Sequence, residues 1–338
     1  MKKILFLAIG MIPVVLILAG FGWAQTVELK LAHFMPPVHV QHVKNFLPFA
    51  ENVAKLSNGQ VTVKVYPGGT LGDAKQLYDA TLNGVTDIAF FIPSYLTGRF
   101  PRCSVFELPA LFDNAVHLAK ASYEVYDKYI ADDFKDVKVL CMYGPGQGQF
   151  GFVNKDVRSV ADMKGLKVRS PNAEMNIALK ALGTTPVGMP VSELAVSLQK
   201  GVVDGVLTPY SAYVDFKIYD LLKYVSEVNL YGTYMIMIMN KKSFDSLSET
   251  GKKAIEEASG KQWGLHVAKA YDQADVEALA QMKATGKIQL SKMPDPEKAR
   301  IADLLKGMHT DWVETVSKKG IQGQAILDAV KAAAKTTR

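Results

Sequence analysis

Residues 164–172 read Lys-Gly-Leu-Lys-Val-Arg-Ser-Pro-Asn, and the same stretch runs on to Gly201-Val-Val-Asp204 and Thr208-Pro209. Leu166–Arg169 has the pattern of a short strand ending on an arginine. Ser170-Pro171-Asn172 turns the chain, and Ala173–Leu182 has helical spacing with Asn172 as its N-cap. The first backbone N–H groups of that helix, and the positive end of its dipole, therefore lie near Arg169. A guanidinium is a planar fork that matches the two oxygens of a carboxylate. Open α/β sheets place their ligands at the carboxyl ends of strands, where this arginine stands. The chain has only six arginines against 33 lysines, which singles the position out. The arrangement is suited to binding an anion and contains no nucleophile or general base.

Outward from this stretch, strands and helices alternate. Val27–Ala32 and Val61–Tyr66 read as strands, and His39–Leu56 places Phe46, Phe49, Val53 and Leu56 at helical spacing. Asp73 opens a helix that Gly84 stops, and Asp87–Ile92 reads as an apolar strand. One unit occurs twice. Leu77 stands seven residues before Gly84-Val-Thr-Asp87, and Leu194 seven before Gly201-Val-Val-Asp204. Two α/β lobes of similar build, facing each other across a groove, account for both the alternation and the repeat. Thr208-Pro209 reads as cap and first residue of a helix over Tyr210–Val225, and Tyr231–Asn240 as a strand crossing back. Leu247–Ala284 reads as one long helix between Ser248 and Gly286, followed by helices over Pro294–Lys318 and Gln324–Lys335. The expected organisation is a first lobe over 25–145 and a second over 146–230. The chain then returns through 231–275 with a hinge-spanning helix, and C-terminal helices over 276–338 pack on the second lobe.

The first 24 residues differ in kind: Lys2-Lys3, an apolar run from Ile4 to Phe21, then Gly22-Trp23-Ala24. This is the pattern of a secretory signal cut after Ala24; an uncleaved membrane anchor is the alternative. The net charge is +6, with lysine spread along the chain, which excludes a nucleic-acid footprint. Cys103 and Cys141 sit beside apolar stretches and read as two buried free thiols, although an oxidising compartment would also permit a disulfide.

At KGLKVRSPN and PVSELAVSLQKGVVDG the chain resembles the DctP-like solute-binding proteins of tripartite ATP-independent periplasmic (TRAP) transporters. The segments VKVYPGGTLGDAKQLYDATLNGVTDIAF and VFELPALF add to the likeness. The resemblance implies a two-lobed periplasmic-binding-protein fold, each lobe a mixed β-sheet flanked by helices, joined by crossing strands and a long helix. It implies a monomeric periplasmic receptor with no cofactor. Such a receptor closes on a small organic acid and hands it to a large and a small membrane permease subunit. By the same resemblance Arg169 binds the ligand carboxylate and Asn172 helps line the pocket. Three departures bear on the ligand. A polar contact of many relatives is shortened to Thr208, a second arginine of some is replaced by Gln147 and Gln149, and charged residues of others by Phe90-Phe91-Ile92-Pro93-Ser94-Tyr95. Each removes charge or polarity. The expected ligand is a monocarboxylate held by Arg169, its apolar or aromatic body against Phe91, Tyr95, Tyr210 and Tyr213. A C4-dicarboxylate, or a receptor feeding a sensor, is the alternative.

Three other signals are weaker. Gly146-Gln-Gly-Gln-Phe-Gly151 fits GxGxxG but leads into a strand at Phe152-Val153-Asn154, as a hinge loop would, not into a phosphate-binding helix. His33, His39 and His42 lack further ligands at metal-binding spacing. An exported hydrolase would need a nucleophile elbow or an H-E-x-x-H helix, and neither motif occurs.

Overall fold

The computed structural model describes residues 26–338, so the expected signal segment lies outside the described residues. The first sheet holds β1 (Val27–Ala32), β2 (Val61–Tyr66), β3 (Ile88–Phe91) and β4 (Lys138–Tyr143). The second holds β5 (Gln149–Phe152), β6 (Lys167–Ser170), β7 (Thr185–Gly188), β8 (Gly205–Thr208) and β9 (Tyr224–Glu227). Strand β10 (Met235–Met239) returns to the first sheet and β11 (Gln289–Lys292) to the second. The strand orders are β2-β1-β3-β10-β4 and β11-β9-β5-β8-β6-β7. Read from β2 and from β7, they follow one plan: parallel triplets β2-β1-β3 and β7-β6-β8, then antiparallel partners β10-β4 and β5-β9. The central strands β3 and β10 are buried on both faces, which is why their sequences are unbroken apolar runs.

Helices α1 (Leu47–Leu56), α2 (Leu77–Leu82) and α3 (Ala115–Val125) flank the first sheet; α4 (Ala173–Ala181), α5 (Leu194–Gln199) and α6 (Tyr210–Asp215) belong to the second lobe. After β10 come α7 (Lys241–Asp245), α8 (Glu249–Glu257), the 26-residue α9 (Gly260–Thr285), α10 (Asp295–Leu305), α11 (Met308–Ser317) and α12 (Gly323–Thr336).

The chain passes between the lobes at 144–148, at 228–234 and along α9. The first two passes run together: Gly148 N donates to Tyr231 O (2.8 Å) and Leu230 N to Gly148 O (3.1 Å). The glycines of the GxGxxG stretch serve this close approach. A Cβ at Gly146 would strike the Asp275 carboxylate of α9, and one at Gly148 the Tyr231 ring. Successive acids of α9 then grip both lobes. Asp272 accepts from Ala115 N and Val116 N at the start of α3, and Asp275 from Ser211 N (2.7 Å) in α6.

Several expectations need correcting. The helix expected over Tyr210–Val225 stops at Asp215, because Lys217 adopts a left-handed conformation (φ +54°), and the chain goes on into β9. Thr208 ends β8 and Pro209, not Thr208, stands at the cap of α6. The helix expected over 247–284 breaks at Gly260 (φ +77°), and the one over 294–318 breaks at Gly307. The C-terminal helices divide between the lobes. Helices α10 and α11 touch α4, whereas α12 packs along α3 of the first lobe by burying Ile326, Leu327, Val330 and Ala334. Both cysteines are buried free thiols.

Candidate functional site

Strand β6 carries Arg169 to the floor of the interlobe cleft, and the turn after it is pinned by Asn172, whose Oδ1 accepts from Met175 N (2.7 Å) to cap α4. Arg169 is 2% exposed. Its Nε donates to Met189 O (3.0 Å), Nη1 to Leu207 O (3.1 Å) and Nη2 to the Tyr95 hydroxyl (3.4 Å). Those three bonds use three of its five N–H donors and leave one on each terminal nitrogen. All three partners are neutral. Arg99, Arg102, Arg158 and Arg338 each pair with a carboxylate, and Arg300 is exposed to solvent. Removing a cation from water costs several kcal/mol unless an anion compensates it. Arg169 is thus a buried cation that pairs with no anion among the described residues, with two donors to spare.

Around it the cleft is mainly apolar. Met35, Ile92 and Tyr95 line it from the first lobe, Val191, Thr208 and Phe216 from the second, and Tyr231, Met235 and Tyr271 from the crossing segments and α9. The cavity volume is about 30 Å³, so the lobes are drawn close together. Tyr95 spans the seam: its hydroxyl accepts from Arg169 and from Val191 N (3.1 Å), which leaves its own hydrogen to donate. Burial pushes the Tyr95 pKa up, so the phenol stays protonated. His39 also lines the cleft, where burial lowers its pKa to about 3; the neutral imidazole faces Asp215 at 3.5 Å. Burial raises Asp215 to about 6 and Asp275 to about 7. Arg169 is therefore the only permanent charge among the residues lining the cleft.

The structure brings together three of the residues singled out in the sequence, Arg169, Tyr95 and Thr208. The others stand elsewhere. Asn172 is taken up by its cap and by Glu107, to which its Nδ2 donates at 2.6 Å. Gln149 is a hinge strut, its Oε1 accepting from Val228 N and Asn229 N and its Nε2 donating to Gln147 O. Gln147 lies buried in the crossing segment. Phe91 packs into the first lobe's core against Tyr78 and Phe100, and the neighbouring Ile92 is the residue that meets the cleft. Tyr213 is buried beneath β5 with its hydroxyl on Gln149 O, and Tyr210 bonds Glu227. The three histidines do not converge: His33 and His42 share a hydrogen bond (3.0 Å) while His39 turns to the cleft. The cleft residues that sequence reading missed, Met35, His39, Val191, Phe216, Tyr231 and Tyr271, come from five separate segments, and only the fold gathers them.

The comparisons bear on the fold and the family. A TRAP solute-binding protein from Rhodoferax ferrireducens, crystallised with copurified benzoate, is 31% identical, with a TM-score of 0.89 over 92% of this chain and 98% of that one. A marine metagenome TRAP solute-binding protein specific for aromatic acid ligands, in complex with metahydroxyphenylacetate, is also 31% identical, with a TM-score of 0.88 over 92% and 99%. The 2,3-diketo-L-gulonate-binding periplasmic protein of Escherichia coli is 25% identical over 290 residues, 83% of this chain and 85% of that protein. The family model for bacterial extracellular solute-binding protein family 7 matches residues 31–315, and the chain belongs to that family, the DctP-like solute receptors of TRAP transporters.

Proposed function

We propose that this protein captures a small monocarboxylate with an aromatic or compact apolar body and delivers it to a TRAP permease. The observation that carries the reading is Arg169, a buried guanidinium with two uncommitted N–H donors in a mainly apolar cleft. A carboxylate accepts from both donors, and the Tyr95 hydroxyl supplies a third bond. The body of the acid lies among Met35, Ile92, Val191, Phe216 and Tyr231, which contribute apolar and aromatic surface but no second cation. Two structural neighbours at 31% identity hold benzoate and metahydroxyphenylacetate, acids of this shape. The aromatic contacts proposed here are Tyr95, Phe216, Tyr231 and Tyr271, in place of Phe91, Tyr210 and Tyr213.

A C4-dicarboxylate or a sugar acid fits this lining less well. Its second anionic end or its hydroxyls would lose water against apolar walls, at roughly 1–3 kcal/mol for each polar group left unpaired. Ligand contacts from both lobes favour the closed arrangement over the open one, and that difference in affinity drives closure. The role is that of a receptor without catalysis, exported by the segment 1–24 to act in the periplasm. Thermal-shift screening followed by calorimetry tests the ligand class. Benzoate and 3-hydroxyphenylacetate should bind and stabilise. Strong binding of succinate or fumarate with no response to aryl acids would overturn the ligand class and leave family membership untouched.

A further inference from the structure

Glu107 closes the turn Cys103–Glu107 in the VFELPALF segment and is 1% exposed. Its hydrogen-bond donors come from three parts of the molecule: the first lobe, the second crossing segment and the second lobe. Oε1 accepts from Ser94 Oγ (3.1 Å), in the first-lobe loop that carries Tyr95. The same oxygen accepts from Tyr234 N (2.9 Å), where the second crossing segment re-enters the first lobe. Oε2 accepts from Asn172 Nδ2 (2.6 Å) of the second lobe. Asn172 ends the turn that begins at Arg169. We propose that Glu107 couples ligand capture to lobe closure, as a positioning residue that holds the Arg169 turn against the first lobe through Asn172 without touching the ligand. Glu107 is absent from the lining of the cleft, and so is Asn172.

The geometry demands a carboxyl group at this position. Tyr234 N is a backbone donor fixed in place. Asn172 can present only its NH2, because its Oδ1 is committed to Met175 N in capping α4. Each oxygen of Glu107 therefore meets an N–H that cannot be reversed, and a carboxyl accepts on both sides whether or not it carries a proton. An amide cannot: with Glu107→Gln, the new NH2 faces either Tyr234 N or Asn172 Nδ2, whichever way it is turned. Opening the lobes breaks the Asn172 contact and returns the carboxyl to water, so the bond contributes to the closed state alone.

The design also predicts its own rescue. In Glu107→Gln/Asn172→Asp, the new carboxylate caps α4 with one oxygen and accepts from the newly introduced side-chain amide with the other. Asn172→Asp alone sets two carboxylates face to face.

This role rests on the Arg169 reading for ligand affinity, and closure supplies a readout that needs no ligand. Nitroxides attached to cysteines at Val85 and Ile177, 53% and 55% exposed and on opposite lobes, report the interlobe distance; the native cysteines are buried. With benzoate as probe, Glu107→Gln and Asn172→Asp should each weaken binding by about 10- to 100-fold and populate a longer distance in the ligand-free protein. The double variant should recover most of both. Wild-type affinity and distance in Glu107→Gln, or no recovery in the double variant, overturns the proposal. If no variant and not even the wild type binds benzoate while Glu107→Gln still lengthens the distance, the coupling stands and the ligand reading falls.

Discussion

The two lobes are the same construction down to single hydrogen bonds. In the first, Leu29-Lys30-Leu31-Ala32 pairs with β3, and Asp87 at the head of β3 accepts from Lys30 N at 2.8 Å. In the second, Leu166-Lys167-Val168-Arg169 pairs with β8 in the matching register, and Asp204 accepts from Lys167 N at 2.8 Å. Leu31 faces Ile88 as Val168 faces Gly205, and Ala32 faces Ala89 as Arg169 faces Val206. The repeated acid fixes the strand pair, while the residue two places beyond the repeated lysine is free to differ. Alanine there completes a core, and arginine makes a binding site. Framework and chemistry are thus specified by different residues of one motif, and substitution can separate them.

The largest effect should come from erasing that difference. Arg169→Ala gives the second lobe the first lobe's residue and removes two charge-assisted bonds to the ligand, so benzoate affinity by calorimetry should fall at least about 100-fold. Arg169→Lys should recover little, because a point charge does not reproduce the planar fork. Next comes the first lobe's contribution. Tyr95→Phe removes the hydroxyl that Arg169 and Val191 N share, and affinity should drop by about tenfold.

A pH effect should also follow from Glu107. Burial, with the Glu174 charge adding to it, raises its pKa to about 8 in the closed protein, against about 4.3 for a hydrated glutamate. The charges and titratable groups around it are Glu174 on α4, Cys103 on its own turn, and Tyr95 and Tyr231 at the cleft. Because the closed-state pKa is the higher one, closure takes up a proton between those two values. The advantage is complete at acid pH and lost as the pH rises through about 8. Benzoate affinity should therefore weaken from pH 6 to pH 8, by up to roughly 50-fold. Asp275 and Asp215 are raised by burial as well, and a flatter profile in Glu107→Gln isolates the share due to Glu107.

The smallest effects on binding should come from the shared framework. Asp87→Ala loses bonds to Lys30 N and Ser243 Oγ, and Asp204→Ala loses the one to Lys167 N. Urea unfolding should show the first costing about 3 kcal/mol and the second about half that, with benzoate affinity in both close to wild type.

What the sequence made legible follows the same division. The strand, turn and capped helix around Arg169 are local events, and alternation, Pro171 and Asn172 announce them within nine residues. The repeat was legible because glycine and aspartate recur at one spacing. The aromatic wall was not. Strand β3 is buried on both faces, so its run Ile88-Ala-Phe-Phe91 carries no mark of which side meets the core and which the cleft. Edge strands β7 and β11, Thr-Pro-Val-Gly and Gln-Leu-Ser-Lys, have too few apolar residues to show a period. The resemblance points to Gln149 as a pocket residue because some relatives carry a second arginine in its loop, but its amide serves the hinge.

A crystal structure of the protein with benzoate tests the central claim most directly. The account predicts both carboxylate oxygens within hydrogen-bonding distance of the Arg169 guanidinium, and the ring between Ile92, Val191, Phe216 and Tyr231. A carboxylate bound elsewhere, with Arg169 still holding only Met189, Leu207 and Tyr95, would contradict it.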